Sequence, residues 1–255
     1  MKNTRKERLP WINTVRIMGV DIADLNMDML MDLTKRHLSD MSGTYITVSN
    51  VHTTVTAYEE EDYRVKQNGA FLANPDGTPL TWVGRQRGGA SIGRTTGPSY
   101  MGEVFAVSRE KGYTHYFYGS TQETLDKLKD ALEKAYPGLS IAGMYSPPFR
   151  ALSEDEDSEI TAMIAEADAD FIWVGLGAPK QERWMAAHEG MFRGVMVGVG
   201  AGFDYFADNI KRAPQWMQKC GLEWFYRLIQ DPKRLFKRYL VTNSKFIWNA
   251  MIRGR

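Results

Sequence analysis

The stretch Phe171-Ile-Trp-Val-Gly-Leu-Gly-Ala-Pro-Lys-Gln-Glu-Arg-Trp-Met185 gathers residue types suited to holding an anionic ligand. Its apolar start reads as a buried strand. Gly175 and Gly177 let the backbone turn tightly, and Pro179 suits the first turn of a helix, where its missing N–H would lack a partner anyway. Lys180, Gln181 and Glu182 then sit on that first turn, and Trp184 and Met185 begin an apolar face. In a parallel sheet such a unit puts polar side chains and free backbone N–H groups at the carboxyl edge, where these folds take ligands, often phosphates. Gly119-Ser120, after the strand His115–Tyr118, offers a similar close approach at a helix start.

The elements that must position these residues alternate. Val15–Val20 reads as a first strand, and Asp24 as the cap of a helix running to about Leu38. Thr44–Val48 is a second strand ending at Ser49-Asn50, followed by a helix over Thr53–Gln67. Ala70–Ala73 is a short strand broken by Asn74-Pro-Asp-Gly77, with a helix over Pro79–Arg85. Arg87–Gly97, rich in Gly, Arg and Thr, reads as a mobile loop before a helix over Tyr100–Lys111. Ser120 is placed to cap Glu123–Ala135. Ser140–Met144 is a strand, Ser153 and Glu156 form a capping box, and Gly194–Val199 is the last strand. Strands alternating with helices predict an α/β fold, a Rossmann-like, mainly parallel sheet flanked by helices.

Composition bounds the rest. With 43% hydrophobic and 25% charged residues, the 255-residue chain has the make-up of a globular protein. The single Cys220 precludes an internal disulfide and fits a reducing compartment. His37, His52, His115 and His188 lack zinc-ligand spacing. No apolar run near the start is long enough for a signal peptide or membrane span, so a cytosolic location is expected. Residues 1–14, polar and basic, read as a loose arm.

Charge divides the chain. From Lys211 onward there are eleven Lys/Arg against two acids, Glu223 and Asp231, a net +9; the preceding residues carry 21 against 29, a net −8. The expected organisation is therefore a body over 1–210 and a basic helical appendage over 211–255, which should be removable to leave a folded body. In the appendage Trp216, Trp224, Phe225, Phe236 and Trp248 recur at near-helical spacing, with Lys233, Arg234, Lys237 and Arg238 between them. Such a helix suits an anionic membrane surface; the competing reading is a terminal helix packed on the body.

Five ordered segments carry a resemblance: Asn74-Pro-Asp-Gly77, Gly93-Arg-Thr-Thr-Gly97, Gly175-Leu-Gly-Ala-Pro-Lys-Gln-Glu182, Gly198-Val-Gly-Ala-Gly-Phe-Asp204, and Lys211-Arg-Ala-Pro-Gln-Trp216 running on into Gly221-Leu-Glu-Trp-Phe-Tyr-Arg-Leu-Ile-Gln-Asp-Pro232. Together they resemble the WecG/TagA/CpsF family of bacterial glycosyltransferases, over about Val15 to Phe246. The resemblance implies a Rossmann-like body with a C-terminal helical appendage. It implies transfer of a sugar, often N-acetylmannosamine or its uronic acid, sometimes glucose, from a UDP donor to a sugar on a polyprenyl diphosphate at the cytoplasmic membrane face. The products of such members are wall teichoic acid, common antigen, capsule or exopolysaccharide. The transfer inverts the anomeric centre and requires no metal or other cofactor.

An inverting transfer needs a base for the acceptor hydroxyl and cations or N–H groups for the departing diphosphate. Carried over by the resemblance, Asp76 is the base, Arg94 contacts diphosphate or acceptor, Gln181 is the active-site glutamine, and Asp204 accepts from uracil N3–H. Arg227, Arg234 and Lys237 match basic positions that reach toward the site. Asn50, Gly119, Ser120, Gly175, Gly177 and Lys180 complete the expected contacts to UDP-sugar and acceptor. Two positions depart from the pattern. Members often have Thr-x-Asn where this chain has Val48-Ser49-Asn50, leaving the threonine's role unfilled or passed to Ser49 or Thr47. Ser99 stands where many have aspartate. Asp168-Ala-Asp170 has the metal-binding Asp-x-Asp form of other glycosyltransferases, but it precedes its strand, at the wrong edge for a donor diphosphate. No metal is expected there.

Two other classes compete. An NAD(P)-linked sugar oxidoreductase would carry Gly-x-Gly-x-x-Gly after its first strand, which is missing here. A non-catalytic membrane- or nucleic-acid-binding module would use the basic tail alone and leave Asp76 and Gln181 without a role.

Overall fold

The computed structural model describes residues 12–254. Residues 1–11, most of the expected N-terminal arm, lie outside the described residues. The first strand of the sequence reading is instead a hairpin, β1 (Thr14–Ile17) paired antiparallel with β2 (Val20–Ala23). Met18 and Gly19 both have positive φ, 49° and 85°, the turn that joins two strands through two residues. The hairpin forms a two-stranded sheet of its own, packed beside the strand Leu72–Pro75. Helix α1 (Met27–Met41) is capped by Asn26, whose side chain accepts from Met29 N at 3.0 Å. Asp24, expected as the cap, instead accepts from the backbone N–H groups of Ala90 and Ser91.

The main sheet has six strands: β3 (Tyr45–Ser49), β4 (Leu72–Pro75), β5 (Thr114–Gly119), β6 (Ser140–Tyr145), β7 (Phe171–Gly175) and β8 (Val195–Gly198). Their order is β4-β3-β8-β7-β5-β6, and every pairing is parallel. The α/β expectation holds. After β4 at one end the chain crosses to β5 and β6 at the other, and β7 and β8 fill the middle. All the carboxyl ends therefore share one edge.

β7 is buried on both faces, as its unbroken apolar run requires. Phe171 and Trp173 face the cluster of Tyr100, Phe105 and Phe117, while Ile172 and Val174 face that of Tyr118, Met185 and Met196. His115 of β5 belongs to this core. Its Nδ1 accepts from Trp173 Nε1 at 3.2 Å, and burial pushes its pKa down to about 3, so it is a neutral packing residue.

Helices flank the sheet: α2 (Val51–Glu59), α3 (Glu61–Gly69), α4 (Thr78–Gln86), α5 (Gly97–Lys111), α6 (Gln122–Ala135), α7 (Glu154–Glu166), α8 (Lys180–Ala187) and the short α9 (Gly202–Phe206). The single helix expected over Thr53–Gln67 is two, because Glu60 is extended at φ −116° and ψ 107°. The Ser153–Glu156 capping box forms as expected.

The tail forms α10 (Gln215–Lys219), α11 (Glu223–Gln230) and α12 (Pro232–Phe246), which continues into a π-helical turn over Ile247–Ile252. The packed-helix reading holds for the end of the tail. Phe246 and Ala250 are buried with Val55, Val83 and Ile92 of the body. Trp216, Trp224, Phe225, Ile229, Phe236, Leu240 and Trp248 are exposed. Among the described residues no helix is long and apolar enough to cross a membrane.

Candidate active site

Asp76 follows the last residue of β4, and its backbone N–H donates to Ser49 O on neighbouring β3 at 2.7 Å. Gly77, at φ +100°, then turns the chain into α4, with Pro79 in the first turn. The 87–97 segment, expected to be mobile, is fastened here. Gly93 N donates to Leu25 O at 2.9 Å, Thr95 N donates to Pro75 O at 2.8 Å, and Ile92 and Thr95 are fully buried. Arg94 between them is thereby held with Nε 4.0 Å from Asp76 Oδ1.

The tail closes over this pair. Glu223 of α11 forms an ion pair with Arg94 through Nη2, and its other oxygen accepts from Tyr205 OH at 3.4 Å. The Arg227 guanidinium lies over the Tyr205 ring, 5.7 Å from its centroid. Arg212 donates to Ser99 Oγ at 2.5 Å. Burial among these groups pushes Asp76 up to about 6; Arg94, Arg227 and Arg212 oppose the rise and Glu223 adds to it. The Asp76 side chain remains 27% exposed.

Of the tail cations expected near the site, Arg227 is there and Lys237 stands exposed on α12. The side chain of Arg234 lies outside the described residues. Sequence reasoning missed Glu223, Tyr205 and Arg212. Glu223 did carry a signal, as one of two acids in a tail of net +9.

A second part of the edge lies around β5 and β7. Gly119 pairs with Gly175, and its φ is +122°; a Cβ there would sit 2.6 Å from the Gly175 carbonyl carbon. Ser120, Gly175 and Lys180 line a cavity of about 430 Å³ with Tyr118, Phe149 and Trp184. Lys180 is exposed at this cavity, and Gly177 turns with φ +76° ahead of it. Two expectations for Ser120 change. Its backbone N–H already donates to Gly175 O at 3.2 Å, and the cap of α6 is Thr121, which accepts from Thr124 N at 3.1 Å.

Gln181 is 3% exposed, contrary to a helix-surface position, and both ends of its amide are engaged. Its Nε2 donates to Glu182 Oε1 at 2.8 Å, and its Oε1 accepts from Gly200 N at 3.1 Å, tying α8 to the turn after β8. Glu182, fully buried and with its pKa raised by burial, lies beside Tyr63, and its Oε2 has no hydrogen-bond partner. Tyr63 in turn accepts from Gln67 Nε2 at 2.7 Å, and Gln67 accepts from Ser49 Oγ at 3.0 Å. These buried hydrogen bonds form two groups, one at the end of β3 and one tying α8 after β7 to the turn after β8, with Tyr63 and Glu182 side by side between them.

Asp204 does not end a strand; it lies in α9, where its Oδ1 accepts from Asn209 Nδ2 at 3.3 Å. That contact places it beside the start of α6, since Asn209 also donates to Thr124. Asn50 caps α2, its Oδ1 accepting from Thr53 N at 3.1 Å. Thr47 and Ser49, which flank Val48, lie on the opposite face of β3 from it, and both are fully buried, Ser49 on Gln67. Ser99 holds Arg212. Asp168 and Asp170 both bind Arg193, at 2.6 and 2.8 Å, and Asp170 also accepts from Thr114 N, so they brace the amino edge of the sheet. Among the described residues no group of three or more His, Cys, Asp or Glu is arranged to hold a metal ion.

This site can present a carboxylate to a hydroxyl and several guanidinium groups to a developing anion. The sequence comparisons agree in kind. The chain is 29% identical over 231 residues to N-acetylglucosaminyldiphosphoundecaprenol N-acetyl-beta-D-mannosaminyltransferase of Bacillus subtilis (strain 168), covering 90% of this chain and 88% of the relative. It is 29% identical over 224 residues to the Staphylococcus aureus (strain MW2) protein of the same name, covering 87% and 86%. The model of the glycosyl transferase WecG/TagA/CpsF family matches residues 15–255, so the chain belongs to that family of glycosyl transferases.

Proposed function

We propose that this protein moves a hexose, of the N-acetylmannosamine type or glucose, from a UDP-sugar to a sugar on a polyprenyl diphosphate, with inversion and without a metal. The observation that carries the reading is the Asp76–Arg94 pair at the carboxyl edge, enclosed by the tail's Arg212 and Arg227. The acceptor hydroxyl gives its proton to Asp76 as its oxygen attacks the anomeric carbon. The bond from that carbon to the diphosphate breaks, and UDP leaves as an anion met by Arg94 and the tail arginines. A base with a pKa near 6 is ionised at neutral pH yet basic enough to share a proton in the transition state.

The acceptor class follows the relatives' names, which specify N-acetylglucosaminyldiphosphoundecaprenol. The pathway in this reading is cell-surface polysaccharide or teichoic acid synthesis. Residues 1–210 bind the donor, and 211–255 complete the site and meet the inner face of the membrane. The exposed Trp224, Phe225 and Phe236 beside Lys233 and Lys237 support that surface role. The test is UDP release from a panel of UDP-sugars with a lipid-linked N-acetylglucosamine acceptor. Acceptor-dependent release is expected for one donor; no release from any donor, with tight NAD(P) binding instead, would overturn the reading.

A further inference from the structure

Glu223 belongs to the tail, yet its carboxylate is inserted into the body. Its side chain is 16% exposed, and the Arg94 partner 24%. The turn that delivers it is seated firmly. Gly221 has φ +74°, and a Cβ there would lie 2.7 Å from Thr78 Oγ1, so the α10–α11 turn rests on the first turn of α4, just after Asp76. Glu223 engages Arg94 Nη2 on one oxygen and Tyr205 OH on the other. Arg94 Nη1 makes only a long 3.5 Å contact with Gln218 O, and Arg94 Nε is buried without a partner, 4.0 Å from Asp76. The guanidinium is thus held by one edge and has its other edge free toward the base.

We propose that Glu223 is a positioning residue for the transfer reaction: it grips one edge of Arg94 and aims the other at Asp76. The proposal rests on the function above. An exposed ion pair would contribute little. This one is mostly buried, has two partners, and is joined to the base through Arg94. The charged and titratable groups facing Asp76 are Arg94, Arg212 and Arg227, Glu223, and Tyr205, itself half-buried. Removing the Glu223 charge takes away an anion that disfavours ionisation of Asp76 and frees Arg94 to favour it.

The experiment compares wild type, Glu223→Ala and Glu223→Gln for kcat, donor KM, thermal midpoint and the pH profile of kcat/KM. Glu223→Ala should lower kcat about 10- to 100-fold with donor KM within about threefold. Glu223→Gln keeps a side chain that can accept from Arg94 and bond to Tyr205. It should recover most of kcat while its acid limb moves to lower pH than the wild type's. Unchanged kcat in Glu223→Ala overturns the proposal. So does a tighter donor KM with faster turnover, which would make Glu223 a placeholder displaced by the donor. If Glu223→Ala does not fold, an unmoved acid limb in folded Glu223→Gln overturns it. A wild type that releases no UDP rejects the function itself; an active wild type matched by Glu223→Ala rejects only this role.

Discussion

Asp76 is where residue chemistry and fold stability pull in opposite directions. Its folded pKa lies above the ordinary 3.8, at about 6, so the folded chain binds the proton more tightly than the unfolded chain does. Stability is therefore present at low pH and is lost as pH rises from about 4 through about 6. Activity runs the other way, because a base must be ionised: kcat/KM should climb through about pH 6 and level above it. Asp76→Asn should abolish turnover by about 10²-fold or more while UDP affinity changes less than about twofold. The same variant should melt a few degrees higher than wild type at pH 8 and not at pH 4, since it never bears the buried charge. Calorimetry at the two pH values with a UDP titration checks all of this; an active Asp76→Asn would remove Asp76 as the base.

Two elements hold the carboxyl edge in shape. β5 and β7 approach so closely at Gly119–Gly175 that neither a side chain nor a negative φ fits at Gly119. Gly119→Ala combines left-handed backbone strain with a 2.6 Å overlap on backbone, so it should cost about 2–4 kcal/mol, read as a lower denaturation midpoint. The second device is a pair of buried hydrogen-bonded groups, Ser49–Gln67–Tyr63 and Glu182–Gln181–Gly200, which meet where Tyr63 lies beside Glu182. Tyr63→Phe deletes the acceptor of Gln67 Nε2 and the hydroxyl beside buried Glu182. Leaving such groups buried and unpaired should cost about 1–3 kcal/mol, and the turn after β8 should exchange its Gly200 amide hydrogen faster. Unchanged stability and exchange in that variant would mean these groups do not brace the edge.

At the scale of the molecule the tail is both a cover and a wedge. Phe246 and Ala250 fill the cluster around Val55, Val83 and Ile92, and Lys245 pairs with Glu59. Burying one such aromatic side chain contributes about 2–3 kcal/mol. Ending the chain at residue 210 should thus remove activity and lower the melting temperature by several degrees, while leaving a folded body. The other face should meet lipid. Replacing Trp224 and Phe236 with Ser should weaken sedimentation with anionic vesicles and leave the melting temperature within about 1 °C, since both side chains are exposed. Wild-type binding should fall with added salt as the basic residues are screened. Equal sedimentation of wild type and double variant would remove the membrane role.

Local pattern made much of this legible. The run Phe171–Val174, closed by Gly175 and Gly177, read as a buried strand, the Ser153–Glu156 spacing as a helix start, and the parallel α/β order followed from strands and helices alternating. Single-residue offsets were less readable, because Glu60 and Thr121 have extended φ/ψ values that most residue types adopt, and Met18 takes a positive φ that its residue type does not signal. Contacts between distant segments were not readable at all. Asp76 and Arg94 were named by motif, but the sequence does not say that Thr95 and Ile92 pin the loop between them, or that Glu223 arrives from more than a hundred residues away to share the arginine. Covalent neighbours and side-chain periodicity determine which elements form. Which side chains then meet depends on how those elements pack, and so does the pKa of the carboxylate they enclose, since burial and nearby charge exist only in the folded chain.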